Sequence, residues 1–121
     1  TALHVAVEAE RIDVAEVLLR SGKFDMNAPD WQGFTPLHYA VDKANEEMLR
    51  LLLKEESVNP NIVNNDSFTP LYLATFRGLE GCARLLLTDE RVQVNAPNMN
   101  GWTPLHCAVQ DADAALVKLF L

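Results

Sequence analysis

The sequence holds little that marks a chemical site. Its two cysteines, Cys82 and Cys107, form no CxxC pair, so a disulfide framework or a thiolate metal site lacks its usual spacing. They read as small apolar fillers in a chain kept reduced, which sets an expectation of an intracellular location, cytoplasm before nucleus. The five glycines form neither GxGxxG nor GxxxxGK, which leaves phosphate cradling without support. Basic residues are scarce: ten Lys and Arg stand against 17 Asp and Glu, for a net charge of -7. Nucleic-acid backbones and anionic bilayers both need clustered cations, so neither is an expected partner. A basic or mixed-charge protein segment is. No run of about 18 apolar residues exists to span a membrane. The opening "LHVAVEAE" is too acidic, and too short in its apolar part, for a secretory signal.

What the chain does hold is a repeat. "TALH" opens it at Thr1, "TPLH" follows at Thr35, "TPLY" at Thr69 and "TPLH" at Thr103, so the starts fall at 1, 35, 69 and 103 with a period of 34 residues. A catalytic motif has no reason to recur at equal spacing, whereas a unit that stacks on copies of itself does. With 121 residues, 49% of them apolar, the chain can bury one continuous core.

The second copy shows the unit. Thr35 can cap the free amides of a helix, and Pro36 suits the first helical position, where no amide partner is needed. Leu37, Ala40 and Val41 then form one apolar stripe, predicting a helix that ends near Ala44 and Asn45. Ala40 and Ala44 are small enough to let a neighbour approach closely. A second helix is predicted from about Glu46 to Lys54, antiparallel to the first, with Leu49, Leu52 and Leu53 inward and Glu46, Glu47 and Arg50 outward. Helices this short need the burial that neighbouring copies supply.

Polar loops join the copies: "SGKFDMNAPDWQGF", "EESVNPNIVNNDSF" and "DERVQVNAPNMNGW". Asn27, Asn61 and Asn95 recur within them at the repeat period, as do Gly33, Ser67 and Gly101 at the turn before each aromatic. Glycine suits that turn if a positive φ is required, and Ser67 is then the odd member.

The order of "TPLH", short helix, "LLL"-like second helix and a loop ending "VN…G" resembles ankyrin repeats across the whole chain. The period exceeds the family's usual 33 by one, with the extra residue placed after the second helix. The resemblance implies an all-α solenoid of stacked antiparallel helix pairs joined by hairpin-like loops, one domain over residues 1–121, expected to be a piece of a longer array. It implies that Thr35, Thr69 and Thr103, with His38 and His106, serve a hydrogen-bond network that ties each helix start to the loop of the adjacent repeat, while Pro36 is structural as the first residue of its helix. Tyr72 stands where that His is expected, altering one link. It also implies that Asn27, Asn61 and Asn95 support the loops by bonding to backbone; in some members this Asn is hydroxylated, and the residues here speak only for the structural role.

The repeated residues do not add up to catalysis. His4, His38 and His106 in a stack are separated by multiples of about 8 to 10 Å, far beyond the roughly 2 Å bond of a shared zinc ion. Cys107 directly follows His106, and neighbours on a helix point apart, a poor arrangement for nucleophile and base. The carboxylates lack the spacing of a calcium loop. No catalytic residue, metal or cofactor is expected, and the chain reads as a non-catalytic protein-binding module. A structural spacer, or a packing module for another domain of a longer protein, is the alternative.

A solenoid keeps its identity on its unrepeated surface. The loop tips differ: Asp30, Trp31 and Gln32, then Asn64, Asn65 and Asp66, then Asn98, Met99 and Asn100. Trp31 and Met99 are large apolar groups in polar tips, suited to anchor a partner or to pack on a neighbouring loop. Phe34, Phe68 and Trp102 recur before each capping Thr, for mutual packing or as an aromatic floor. On the first helices the outward residues include Asp42 and Lys43, then Phe76 and Arg77, then Gln110. Phe76 reads either as an apolar hot spot whose orientation Asp42, Lys43 and Arg77 set, or as cover for a gap beside Tyr72. The apolar ends lack a polar capping unit, which adds an expectation of self-association through them.

Overall fold

The computed structural model describes residues 1–121 as eight α-helices and no strands: α1 Ala2–Glu8, α2 Ile12–Ser21, α3 Pro36–Asp42, α4 Glu46–Leu53, α5 Pro70–Phe76, α6 Glu80–Leu87, α7 Pro104–Gln110 and α8 Ala114–Phe120. Each odd-numbered helix packs on the even-numbered helix that follows it. The odd helices α1, α3, α5 and α7 also pack successively on one another, as do α2, α4, α6 and α8, so two parallel rows make the stack. None of the helices is long and apolar enough to cross a membrane.

Thr1, Thr35, Thr69 and Thr103 each accept a hydrogen bond from the backbone amide three residues on, starting the odd helices. Such a cap contributes about 1 kcal/mol, a large share for helices of seven residues. The rest comes from the rows. Ala6, Ala40, Ala74 and Ala108 occupy one repeat position and are all buried, letting adjacent odd helices approach closely. Leu49, Leu52, Ala83 and Leu86 fill the space between α4 and α6 within a single continuous core.

The first helix of the second copy is shorter than its apolar stripe predicts. It stops at Asp42, because Ala44 turns left-handed with φ 52° and starts the reversal into α4. Ala44 is exposed there rather than packed on a neighbour. Glu10, Gly78 and Ala112 take the same conformation at the same repeat position. In α4 the inward face includes Met48, fully buried, while Leu53 is only half-buried.

Candidate functional site

The loops are built on a residue type the sequence displays but does not explain. Asp30 Oδ1 accepts the amides of Gln32 and Phe34, both at 2.9 Å. Asn64 and Asn98 do the same for Asp66 and Phe68, and for Asn100 and Trp102, at 2.9 to 3.0 Å. These three side chains therefore frame the tips and are not free tip contacts, correcting their grouping with the variable residues. The signal was a carboxylate or carboxamide of the same length at 30, 64 and 98. Gly33, Ser67 and Gly101 follow with φ of 78°, 64° and 79°. At Gly33 a Cβ would also lie 2.7 Å from the Asn65 amide, so both conformation and space require glycine there.

Neighbouring repeats are laced together along these loops. His4 and His38 each place Nε2 2.9 Å from the carbonyl oxygen of the next loop, at Phe34 and Phe68. The Thr35 amide donates to His38 Nδ1 at 3.2 Å, so the proton resides on Nε2, which donates to Phe68. Burial lowers the His38 pKa, in keeping with this neutral form. Asn27 donates to the Ser57 carbonyl and accepts from the Asn59 amide at 2.8 and 2.7 Å, and Asn61 repeats both bonds with Arg91 and Gln93. Asn95 makes no such bond within the chain. His106 bonds only back to Thr103.

At Tyr72 the lacing changes. Its hydroxyl is reached by Asn98 Nδ2 at 3.0 Å, so the link to the next loop runs through a side chain. The larger ring stacks on Phe68 at 4.6 Å, and Phe68 meets Phe76 at 5.2 Å. Phe34, Phe68 and Trp102 do not pair with one another; each lies against the residue four positions on, namely His38, Tyr72 and His106. One helix spacing separates them, which is too far for ring contact.

A cleft of about 570 Å³ lies between the second and third loops. Phe68, Tyr72, Phe76 and Trp102 supply its aromatic surface, Met99 adds a thioether, and Asp66, Asn98, Asn100 and Gln110 line it with polar atoms. Phe76 is 55% exposed, Met99 69% and Trp102 40%. Of the residues expected at a binding face, Phe76, Met99 and Gln110 thus converge. Trp31 does not join them: it stands 84% exposed on the first tip, its carbonyl held by Asn65 Nδ2 at 3.0 Å.

Asp42 and Arg77 differ from their expected role as separate charges beside Phe76. They pair with each other across two repeats at 2.5 Å, and each satisfies the other. Lys43 is exposed at the end of α3 with no ionic partner. Trp102, read from the sequence as mutual loop packing or as part of an aromatic floor, lines the cleft.

Burial and the Glu46 carboxylate push the Cys82 thiol up to about 11, and burial raises Cys107 with Asp111 adding to it. Both cysteines stay protonated at neutral pH and act as small buried groups. Burial would raise the Asp30 pKa, but the Tyr39 hydroxyl and the Phe34 and Gln32 amides together hold it below the usual range.

A family model described as ankyrin repeats (3 copies) matches residues 1–64 and again 56–121. No curated protein matches the chain.

Proposed function

The chain belongs to the ankyrin-repeat family, whose members are in general protein–protein interaction modules, and on that premise we propose that the Phe76–Met99–Trp102 cleft anchors a segment of a partner protein. The supporting observation is convergence: three large, exposed apolar side chains from two elements meet over a floor whose loops are already hydrogen-bonded in place. Little ordering is left to do on binding, which favours affinity. Apolar anchors ringed by polar groups form the usual centre of an interface.

Trp31, on the same row of tips, would give a longer partner a second hold. Lys43 offers a charge for orientation, whereas the Asp42–Arg77 pair, already neutralised, contributes less.

Selection of a random peptide library on the full chain tests this reading, with each enriched peptide titrated against wild type and a Phe76→Ala, Met99→Ala variant. Peptides should lose about tenfold or more in affinity on the variant, as hot-spot truncation does, while its helical circular dichroism and melting match wild type. Enriched peptides that bind both proteins equally would place the site elsewhere.

A further inference from the structure

We infer that this cleft is a subsite for one cation, the guanidinium of an arginine carried by a basic partner segment. The inference rests on the protein-binding reading above and specifies the partner's chemistry. Phe76 and Trp102 expose ring surface to the cleft, and aromatic faces attract cations. Asp66 lines it, no lysine or arginine does, and the adjacent Arg77 is held by Asp42. The chain carries a net charge of -7, so the long-range field favours the same sign of partner.

Unused acceptors sharpen the choice. The Asn98 side-chain oxygen already accepts from the Asn100 and Trp102 amides, and its amide group donates to Tyr72. The side chains of Asp66, Asn100 and Gln110 make no hydrogen bond within the chain and are exposed. A purely apolar occupant would cover these atoms without replacing their water, which is unfavourable. An arginine offers five N–H donors for them, a planar head that stacks on aromatic rings, and an aliphatic stem for Met99. One repeat earlier, the positions of Phe76 and Met99 are Asp42 and Asn65, so polar groups stand in place of both exposed apolar ones. There Asp42 already binds an arginine of the chain itself, Arg77.

Nuclear magnetic resonance titration of the full chain with blocked single residues isolates this subsite: N-acetyl-arginine amide, its uncharged isostere N-acetyl-citrulline amide, and N-acetyl-norleucine amide. The arginine probe should shift the Trp102 indole and the amides of Asn98 to Gly101 in a saturable way. It should bind about fivefold or more tightly than either neutral probe, in line with a cation–π contact. Asp66→Asn and, independently, Phe76→Ala should each remove most of that preference, while Trp31→Ala leaves it intact. Equal binding of norleucine would overturn the cation subsite yet leave the protein-binding cleft standing. Arginine-induced shifts spread over surface carboxylates, or no shifts at the cleft with any probe, would overturn the inference as well; the library selection then decides the broader reading separately.

Discussion

The side-chain amide of Asn98 donates to the Tyr72 hydroxyl at 3.0 Å, while its oxygen holds the backbone of its own loop. One residue thus closes the third tip and joins it to the first turn of α5. Asn98→Ala should destabilise the domain by about 1–3 kcal/mol, since two loop amides and the hydroxyl of the buried Tyr72 lose their partner. Asn98→Asp should be much milder, because a carboxylate keeps both amides and accepts from the tyrosine, as Asp30 does from Tyr39. Urea unfolding of the two variants beside wild type checks the ordering; equal losses would deny the bonds their importance.

The left-handed turn residues between paired helices make a second prediction. Ala44 and Ala112 hold φ of 52° and 54°, a conformation that disfavours a Cβ, while Gly78 holds 68° with open space around it. Ala44→Gly and Ala112→Gly should each stabilise by about 0.5–1 kcal/mol, the relief of the turn outweighing the freer unfolded chain. Gly78→Ala should destabilise by about the same amount. Melting temperatures of the three single variants suffice, and a loss of stability in Ala44→Gly would contradict the account.

Arg91 gives a third. Asp89 grips its guanidinium at 2.6 Å, and it donates to the carbonyls of Leu53, Glu55 and Val58 at 2.7, 3.0 and 3.1 Å, closing the end of α4 from the following repeat. Arg91→Ala should cost about 1–3 kcal/mol. Arg91→Lys should recover only part of it, since an ammonium cannot reach three carbonyls with a planar fork. Chemical denaturation of the pair would show the difference, and a fully stable lysine variant would count against it.

Stability should also depend on His38. Burial depresses its folded pKa below the ordinary 6.5, so under that pH the unfolded chain binds more protons than the folded one. The contribution is complete above pH 6.5 and is lost as pH falls toward the folded pKa. The urea midpoint should therefore drop between pH 7 and 5, before most carboxylates titrate, and His38→Gln should flatten that slope. An unchanged slope in the variant would assign the effect to other groups.

Much of the fold was legible because its signals are local and repeated. Thr35 before Pro36 states a helix start, and apolar spacing in α3 and α4 states which side is buried. The end of α3 was misplaced by two residues, because Ala44 is an ordinary helix former and nothing in its chemistry announces a left-handed turn. Only Gly78, at the same repeat position, carries that signal. The cleft was half legible. Phe76 and Met99 stand out against their repeat partners Asp42 and Asn65, but their meeting with Trp102 depends on how far apart two loops sit, which spacing along the chain does not encode. The Asp42–Arg77 pair was missed for the same reason: the partners are 35 residues apart and meet only once the repeats stack.

The two sides of the stack are joined by different kinds of force. Directional bonds from His4, His38, Asn27 and Asn61 stitch loop to loop and odd helix to loop, whereas the bodies of α4 and α6 meet through leucine, cysteine and alanine. Apolar contacts tolerate small sliding; short hydrogen bonds do not. The solenoid should therefore flex like a book bound along its loop edge, its spine fixed in length while the even-numbered helices, as the outer row, fan open or shut. A load applied to the outer row would change the curvature and leave the spacing of the tips, and so the separation of Trp31 from the cleft, nearly constant.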